Sequence, residues 1–108
     1  MTVNELCNSG GFEAVCLPDG DRAITGVYIC DLLSWVMGRA TSGDAWITIM
    51  SNLNIVAVAS LADTACIIIA EGVTLEEDII NAANQRDVNI ISCDKSIYET
   101  AVMLSERL

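Results

Sequence analysis

The sequence predicts a three-layer α/β/α domain built on a mainly parallel sheet. Three observations lead there. Cys66-Ile-Ile-Ile-Ala70 is an unbroken apolar run, the pattern of a central strand covered on both faces. Short strand-like runs alternate along the chain with segments whose starts carry helix-capping residues, which is the order of a layered α/β domain with right-handed crossovers. The 108 residues, 53% of them apolar, suffice for one core without disulfides, so residues 1–108 read as a single stand-alone domain.

Each element has its own signal. Thr2-Val-Asn-Glu5 has the Thr-x-x-Glu form of a capping box and opens a short helix that stops before Gly10-Gly11. Phe12 to Cys16 reads as an edge strand, and Pro18-Asp-Gly-Asp21 as a turn. Gly26 to Cys30 is the next strand. Asp31 is then placed to cap a helix through Leu32, Leu33, Trp35, Val36 and Met37, with Gly38 ending it. Ala45 to Met50 forms a strand, and Ile55 to Leu61 a short, almost wholly apolar helix. After the Cys66–Ala70 strand, Thr74 is placed to cap a helix from Leu75 to Arg86, with Glu76, Glu77 and Asp78 in its positive first turn. Asn89 to Cys93 is the last strand. Ser96-Ile-Tyr-Glu99 is a second capping box, and Ile97, Ala101, Leu104 and Leu108 share one face of the helix it opens.

Charge and composition narrow the function. The formal net charge is −10, and the five basic residues, Arg22, Arg39, Arg86, Lys95 and Arg107, are scattered singly. No basic patch exists to displace counterions from a phosphate backbone, so nucleic acid is not an expected partner. The same charge opposes anionic membrane surfaces, and no apolar stretch is long enough to span a bilayer. The first residues lack the basic and apolar regions of a signal peptide, and the expected compartment is the cytoplasm.

The five cysteines, at positions 7, 16, 30, 66 and 93, are odd in number and include no Cys-x-x-Cys pair. They read as small buried hydrophobes in a reducing environment. There is no histidine, and neither a metal nor a cofactor is expected. Gly38-Arg-Ala-Thr-Ser-Gly43 has the glycine spacing of a phosphate loop, but Asp44-Ala45 stands where that loop needs Lys and Ser/Thr. Asp19 with Asp21 lacks the further oxygens of a calcium loop. With no phosphate loop and no Gly-x-Ser-x-Gly elbow, the chain does not read as an enzyme.

Three stretches together resemble the DRTGG domain: Asp21-Arg-Ala-Ile-Thr-Gly-Val-Tyr-Ile-Cys-Asp-Leu-Leu33, Gly43-Asp-Ala-Trp-Ile-Thr48 and Ser96-Ile-Tyr-Glu-Thr-Ala101. That module is related to the N-terminal domain of HPr kinase and is found inside some phosphotransacetylases and CBS-domain pyrophosphatases. The resemblance covers nearly the whole chain and implies an α/β fold of the HPr-kinase N-domain type and a role in dimerisation or regulation. The namesake turns depart from the family pattern. Where it has Asp-Arg, this chain has Ser51-Asn52-Leu53-Asn54, and where it has Thr-Gly-Gly, this chain has Ala70-Glu71-Gly72.

In open parallel sheets ligands sit outside the carboxyl ends of the strands. Here those ends carry Asp31, Ser51, Asn52, Asn54, Gly72 and Lys95, the candidate ligand residues. Ser51 and Asn52 are equally the usual caps of the helix that starts at Ile55, and Lys95 equally a solvated turn residue before Ser96. Glu71 would repel a phosphate brought to this rim. Leu33, Trp35, Val36 and Met37 leave a short helix apolar nearly all round, which reads either as a subunit interface or as a central, covered helix. Two functions follow. The first is a non-catalytic regulatory module acting through homodimerisation and a protein partner. The alternative is a sensor of a small molecule, with adenine nucleotides the first to test, at the strand-end rim.

Overall fold

The structure is a computed structural model that describes residues 1–108. Its elements are α1 (Val3–Asn8), β1 (Glu13–Cys16), β2 (Gly26–Ile29), α2 (Leu33–Arg39), β3 (Asp44–Thr48), α3 (Asn54–Ala62), β4 (Cys66–Ile69), α4 (Glu77–Gln85), β5 (Ile90–Ser92) and α5 (Ile97–Arg107). The five strands form one sheet in the order β1-β5-β4-β3-β2. β2 through β5 run parallel, and only β1 is antiparallel, at the β5 edge. The three-layer, mainly parallel α/β architecture is therefore the one the sequence predicts.

Consecutive parallel neighbours joined by right-handed crossovers place all their connecting helices on one face. The two cores show that arrangement. Trp46, Ile67, Ile69 and Ile90 pack with Val36 of α2, Ile55 and Ala59 of α3, and Ile79 and Ala83 of α4. On the other face Ala45, Ile47, Ile68 and Ile91 pack with Val3 and Leu6 of α1 and Leu104 of α5. All four residues of β4 are buried. This is why its sequence lacks the alternation of a half-exposed strand.

Helix boundaries follow the capping chemistry in two cases and depart from it in two. The Thr2 hydroxyl accepts from the Glu5 N–H while the Glu5 carboxylate accepts from the Thr2 N–H, so the first capping box is formed. Ser96 accepts from the Glu99 N–H, but the Glu99 carboxylate accepts from the Ser96 hydroxyl and not from its N–H, so only the serine half of the second box forms. Asp31, however, does not cap α2. Its carboxylate turns back to accept from the Thr48 hydroxyl at 2.7 Å and the Ile49 N–H at 3.1 Å. Leu32 occupies the cap position with no side-chain bond, and Gly38 lies within the helix rather than ending it. Thr74 does not cap α4 either, because the chain continues as a loop until Glu76 stands at the cap position.

Polar side chains pin the loops at the amino ends of the strands. Asn89, 2% exposed, accepts from the Asp19 N–H and donates to the Asp19 and Ala65 carbonyls. Asp63 ends α3 in the left-handed conformation. Its carboxylate accepts from Arg22 at 2.9 Å and from the Ser42 hydroxyl. The Arg22 hydrogen bond, with that of Ser42, holds the Asp63 carboxyl below its usual range. Both partners keep solvent contact, Asp63 the more so, and the pair contributes at most about 1 kcal/mol.

The doubly covered centre carries most of the stability. Truncation of Ile68, fully buried on β4, should cost about 2–5 kcal/mol through lost transfer energy and the cavity left behind. Urea unfolding of Ile68→Ala measures this as a lower midpoint with an unchanged slope.

Candidate functional site

The connections after β4 and β5 leave the sheet in opposite directions. The chain leaves β4 toward α4, on the face shared with α2 and α3, and leaves β5 toward α5 on the other. Diverging connections at neighbouring strand ends open a crevice at the carboxyl edge of the sheet. A cavity of about 590 Å³ lies there.

Sheet register builds its floor. Ser92 pairs with Glu13 of antiparallel β1 on one side and with Ile69 of parallel β4 on the other. Directly paired residues point to the same face, so Glu13, Ser92 and Ile69 form one row on the α4 side. Seven residues, Ala70 to Glu76, intervene before α4 begins. Above the row stand Gly72, Val73, Thr74 and Leu75 of that loop, while Cys93, Asp94 and Lys95 close the adjoining side. The wall is thus apolar at Val15, Val73 and Leu75, over the fully buried Ile69, and its charges are Glu13, Asp94 and Lys95.

The loop keeps its shape through an unusual turn. Glu71 and Gly72 have φ of +64° and +69°, and the Val73 N–H donates to the Ala70 carbonyl at 3.3 Å. Two successive left-handed residues closed in this way make a type I′ turn. Glycine adopts that conformation freely, whereas Glu71 gives up roughly 1–2 kcal/mol. Hydrogen bonds to the β5–α5 connection offset the strain. The Glu71 N–H donates to the Lys95 carbonyl at 2.8 Å and the Gly72 N–H to the Cys93 carbonyl at 3.1 Å. The Glu71 carboxylate accepts from the Ile97 N–H, at the amino end of α5, at 3.0 Å.

Of the ligand candidates read from the sequence, the cavity gathers Gly72 and Lys95. Asp31 lies at the β2 end, engaged by Thr48 and Ile49. Ser51, Asn52 and Asn54 are exposed at the β3–α3 connection, where the Asn52 side chain accepts from the Asn54 N–H at 3.0 Å. The strand ends do share one rim, but four parallel strands spread it over about 14 Å, too wide for one small site. Sequence reasoning passed over Glu13, Thr74, Ser92 and Asp94. Asp94 was legible as the neighbour of Lys95, while Glu13 enters only through the β1–β5 register, which joins residues far apart in sequence.

Among the interface candidates, Trp35 is 47% and Met37 43% exposed, with the Arg39 guanidinium stacked 3.7 Å above the Trp35 ring. Leu33 is half-buried. Val36 departs from the expectation: it is fully buried in the monomer's own core and has no surface to offer a partner. All five thiols are free; Cys16, Cys66 and Cys93 are buried, and burial pushes the Cys66 thiol far above its usual range.

A five-stranded parallel-type sheet with a rim cavity between diverging crossovers is the class of domain these observations define. The DRTGG domain profile matches residues 13–107, and the chain belongs to that family. Among solved structures it is similar to the CBS and DRTGG domains of the regulatory region of Clostridium perfringens pyrophosphatase, complexed with the activator diadenosine tetraphosphate. The TM-score is 0.72 at 15% identity, over 94% of this chain and 44% of the other, so this chain spans less than half of that one. No curated protein matches.

Asp31 has a structural task at the rim. Asp31→Ala removes the acceptor of the fully buried Thr48 hydroxyl and of the Ile49 N–H, and should cost about 1–3 kcal/mol. Chemical denaturation measures the loss, and Asp31→Asn, which retains an acceptor oxygen, should recover part of it.

Proposed function

We propose that this chain is a non-catalytic regulatory module that binds a small molecule in the cavity beside the carboxyl ends of β4 and β5. The cavity carries this reading. Its volume of about 590 Å³ falls within the roughly 300–1,000 Å³ of small-molecule sites. It combines apolar walls with a few convergent polar groups, the usual make-up of such sites. The activator complex of the structurally similar pyrophosphatase regulatory region supports the regulatory part of the reading.

A thermal-shift screen tests it. The screen takes nucleosides, nucleotides with their cyclic and dinucleoside polyphosphate forms, amino acids and sugars. A ligand at a hundred times its Kd stabilises the folded state by about 2.7 kcal/mol, which raises the Tm of a domain this size by several degrees. Thr74→Trp, an exposed position on the loop wall where a bulky ring narrows the cavity without entering the core, should abolish the shift while the protein remains folded. A flat response to the whole library overturns the reading.

A second reading, self-association coupled to a protein partner, is favoured by the opposite flank. β2 is the free sheet edge, where Val27 is 39% and Ile29 46% exposed on the α5 side of the sheet, while Leu32 and, on α2, Trp35 and Met37 are exposed on the other side. A homodimer through this flank joins two chains of net charge −10, so added salt should strengthen it by screening their repulsion. Sedimentation equilibrium should show dimers that tighten from low to moderate salt and dissociate in the Ile29→Lys/Trp35→Ser double variant. A monomer at high micromolar concentration under both conditions rules this reading out.

A further inference from the structure

We infer that the cavity takes a nucleoside-sized ligand without phosphate, neutral or cationic, and that Glu71 is the residue that keeps phosphate out. The inference rests on the small-molecule reading of the cavity and names the class of ligand.

Charge is the first observation. Glu13 and Asp94 set two carboxylates against the single ammonium of Lys95 along the cavity wall, within a chain of net charge −10. No arginine lines the cavity to make the bidentate contact on which phosphate recognition commonly relies. Carboxylates only accept hydrogen bonds when ionised, so they select hydroxyl or amine donors, such as a ribose diol or an exocyclic amine. Dinucleotide sites use an acidic side chain on the ribose in this way. The complementary body is flat and apolar enough to lie along Val15, Val73 and Leu75. The Thr74 N–H, which donates to no other protein group, is left for a ring nitrogen or carbonyl acceptor.

Geometry is the second. A phosphate reaching from the cavity past Lys95 would meet the amino end of α5, one of the helix amino ends on this rim whose backbone donors would favour it. The Glu71 carboxylate already sits there, accepting from the Ile97 N–H at 3.0 Å. Its own N–H is tied to the Lys95 carbonyl at 2.8 Å, so the side chain is held in place by the turn that walls the cavity. Glu71 thus acts as an internal anion in the position a ligand phosphate would take. It holds that position despite a φ of +64°.

The matched probes are adenosine, its 5′-monophosphate and its triphosphate, measured by calorimetry on the whole chain. Adenosine should bind the wild-type protein at least roughly tenfold more tightly than either phosphorylated form, since one nearby unpaired like charge suffices for that ratio. Glu71→Gly frees the α5 amino end, and glycine adopts the required φ without strain; this variant should shift the preference toward the monophosphate, read as the ratio of its affinity to that of adenosine. Glu71→Gln, neutral but still an acceptor, should fall between the two. Tighter binding of either nucleotide by the wild type overturns the inference, as does an unchanged preference in Glu71→Gly. Silence of the wild type toward all three probes overturns the nucleoside assignment. A positive shift elsewhere in the wider screen would at the same time leave the cavity reading standing.

Discussion

The fold depends on one constraint: β4 is buried on both faces. Four consecutive residues without solvent contact require a helical layer above and another below. The layer of α2, α3 and α4 comes from successive right-handed crossovers, which deposit every helix on the same side. The opposite layer must therefore come from the chain ends, and α1 and α5 supply it. For α5 to reach that side, the chain must leave β5 in the direction opposite to its departure from β4. The crevice between the two connections is a consequence of covering the central strand, so the cavity and the core have a common origin.

That origin explains which parts of the molecule were legible in the sequence. The run from Cys66 to Ala70 and the two capping boxes depend on local chemistry, and they fix the layered class and three helix starts or strands outright. Asp31 and Thr74 mislead for a shared reason. A capping residue type shows only that a side chain can accept a backbone hydrogen bond, and both neighbourhoods use their residues differently. Asp31 finds the buried Thr48 hydroxyl, a partner seventeen positions away, and Thr74 stands in the loop that forms the cavity wall. The site was half legible. Gly72 and Lys95 belong to turns that directly follow strands and can be located by sequence position. Glu13 reaches the site through antiparallel pairing with Ser92 across the sheet, a relationship with no periodic trace in the sequence.

The apolar face of α2 divides in the same way. Val36 is indistinguishable from Trp35 and Met37 by composition, yet it is the member that faces Trp46 and the sheet-side core. A helix of seven residues has too few turns for periodicity to reveal its buried stripe. Membership of the DRTGG family supplies the common scaffold but leaves the exposure of α2 and the make-up of the rim to this chain's own residues.

The turn at Glu71 shows how a strained residue can be physically coherent. Asking a glutamate to adopt a left-handed conformation is unfavourable, and an isolated loop would relieve it by changing shape. Here the neighbouring connection supplies two carbonyl acceptors, Lys95 and Cys93, to the N–H groups of the turn, and one N–H donor, Ile97, to the Glu71 carboxylate. A charge-assisted bond at a helix amino end is stronger than a neutral one and is favoured by the helix dipole. These contacts together match the scale of the strain. They also fasten the β4–α4 loop to the β5–α5 connection, so two cavity walls form one braced unit. A glycine at position 71 would relax the backbone but would give up the link to α5. The glutamate exchanges local ease for a fixed rim with a negative charge in a defined place, and that exchange is what distinguishes this rim from one built of glycine alone.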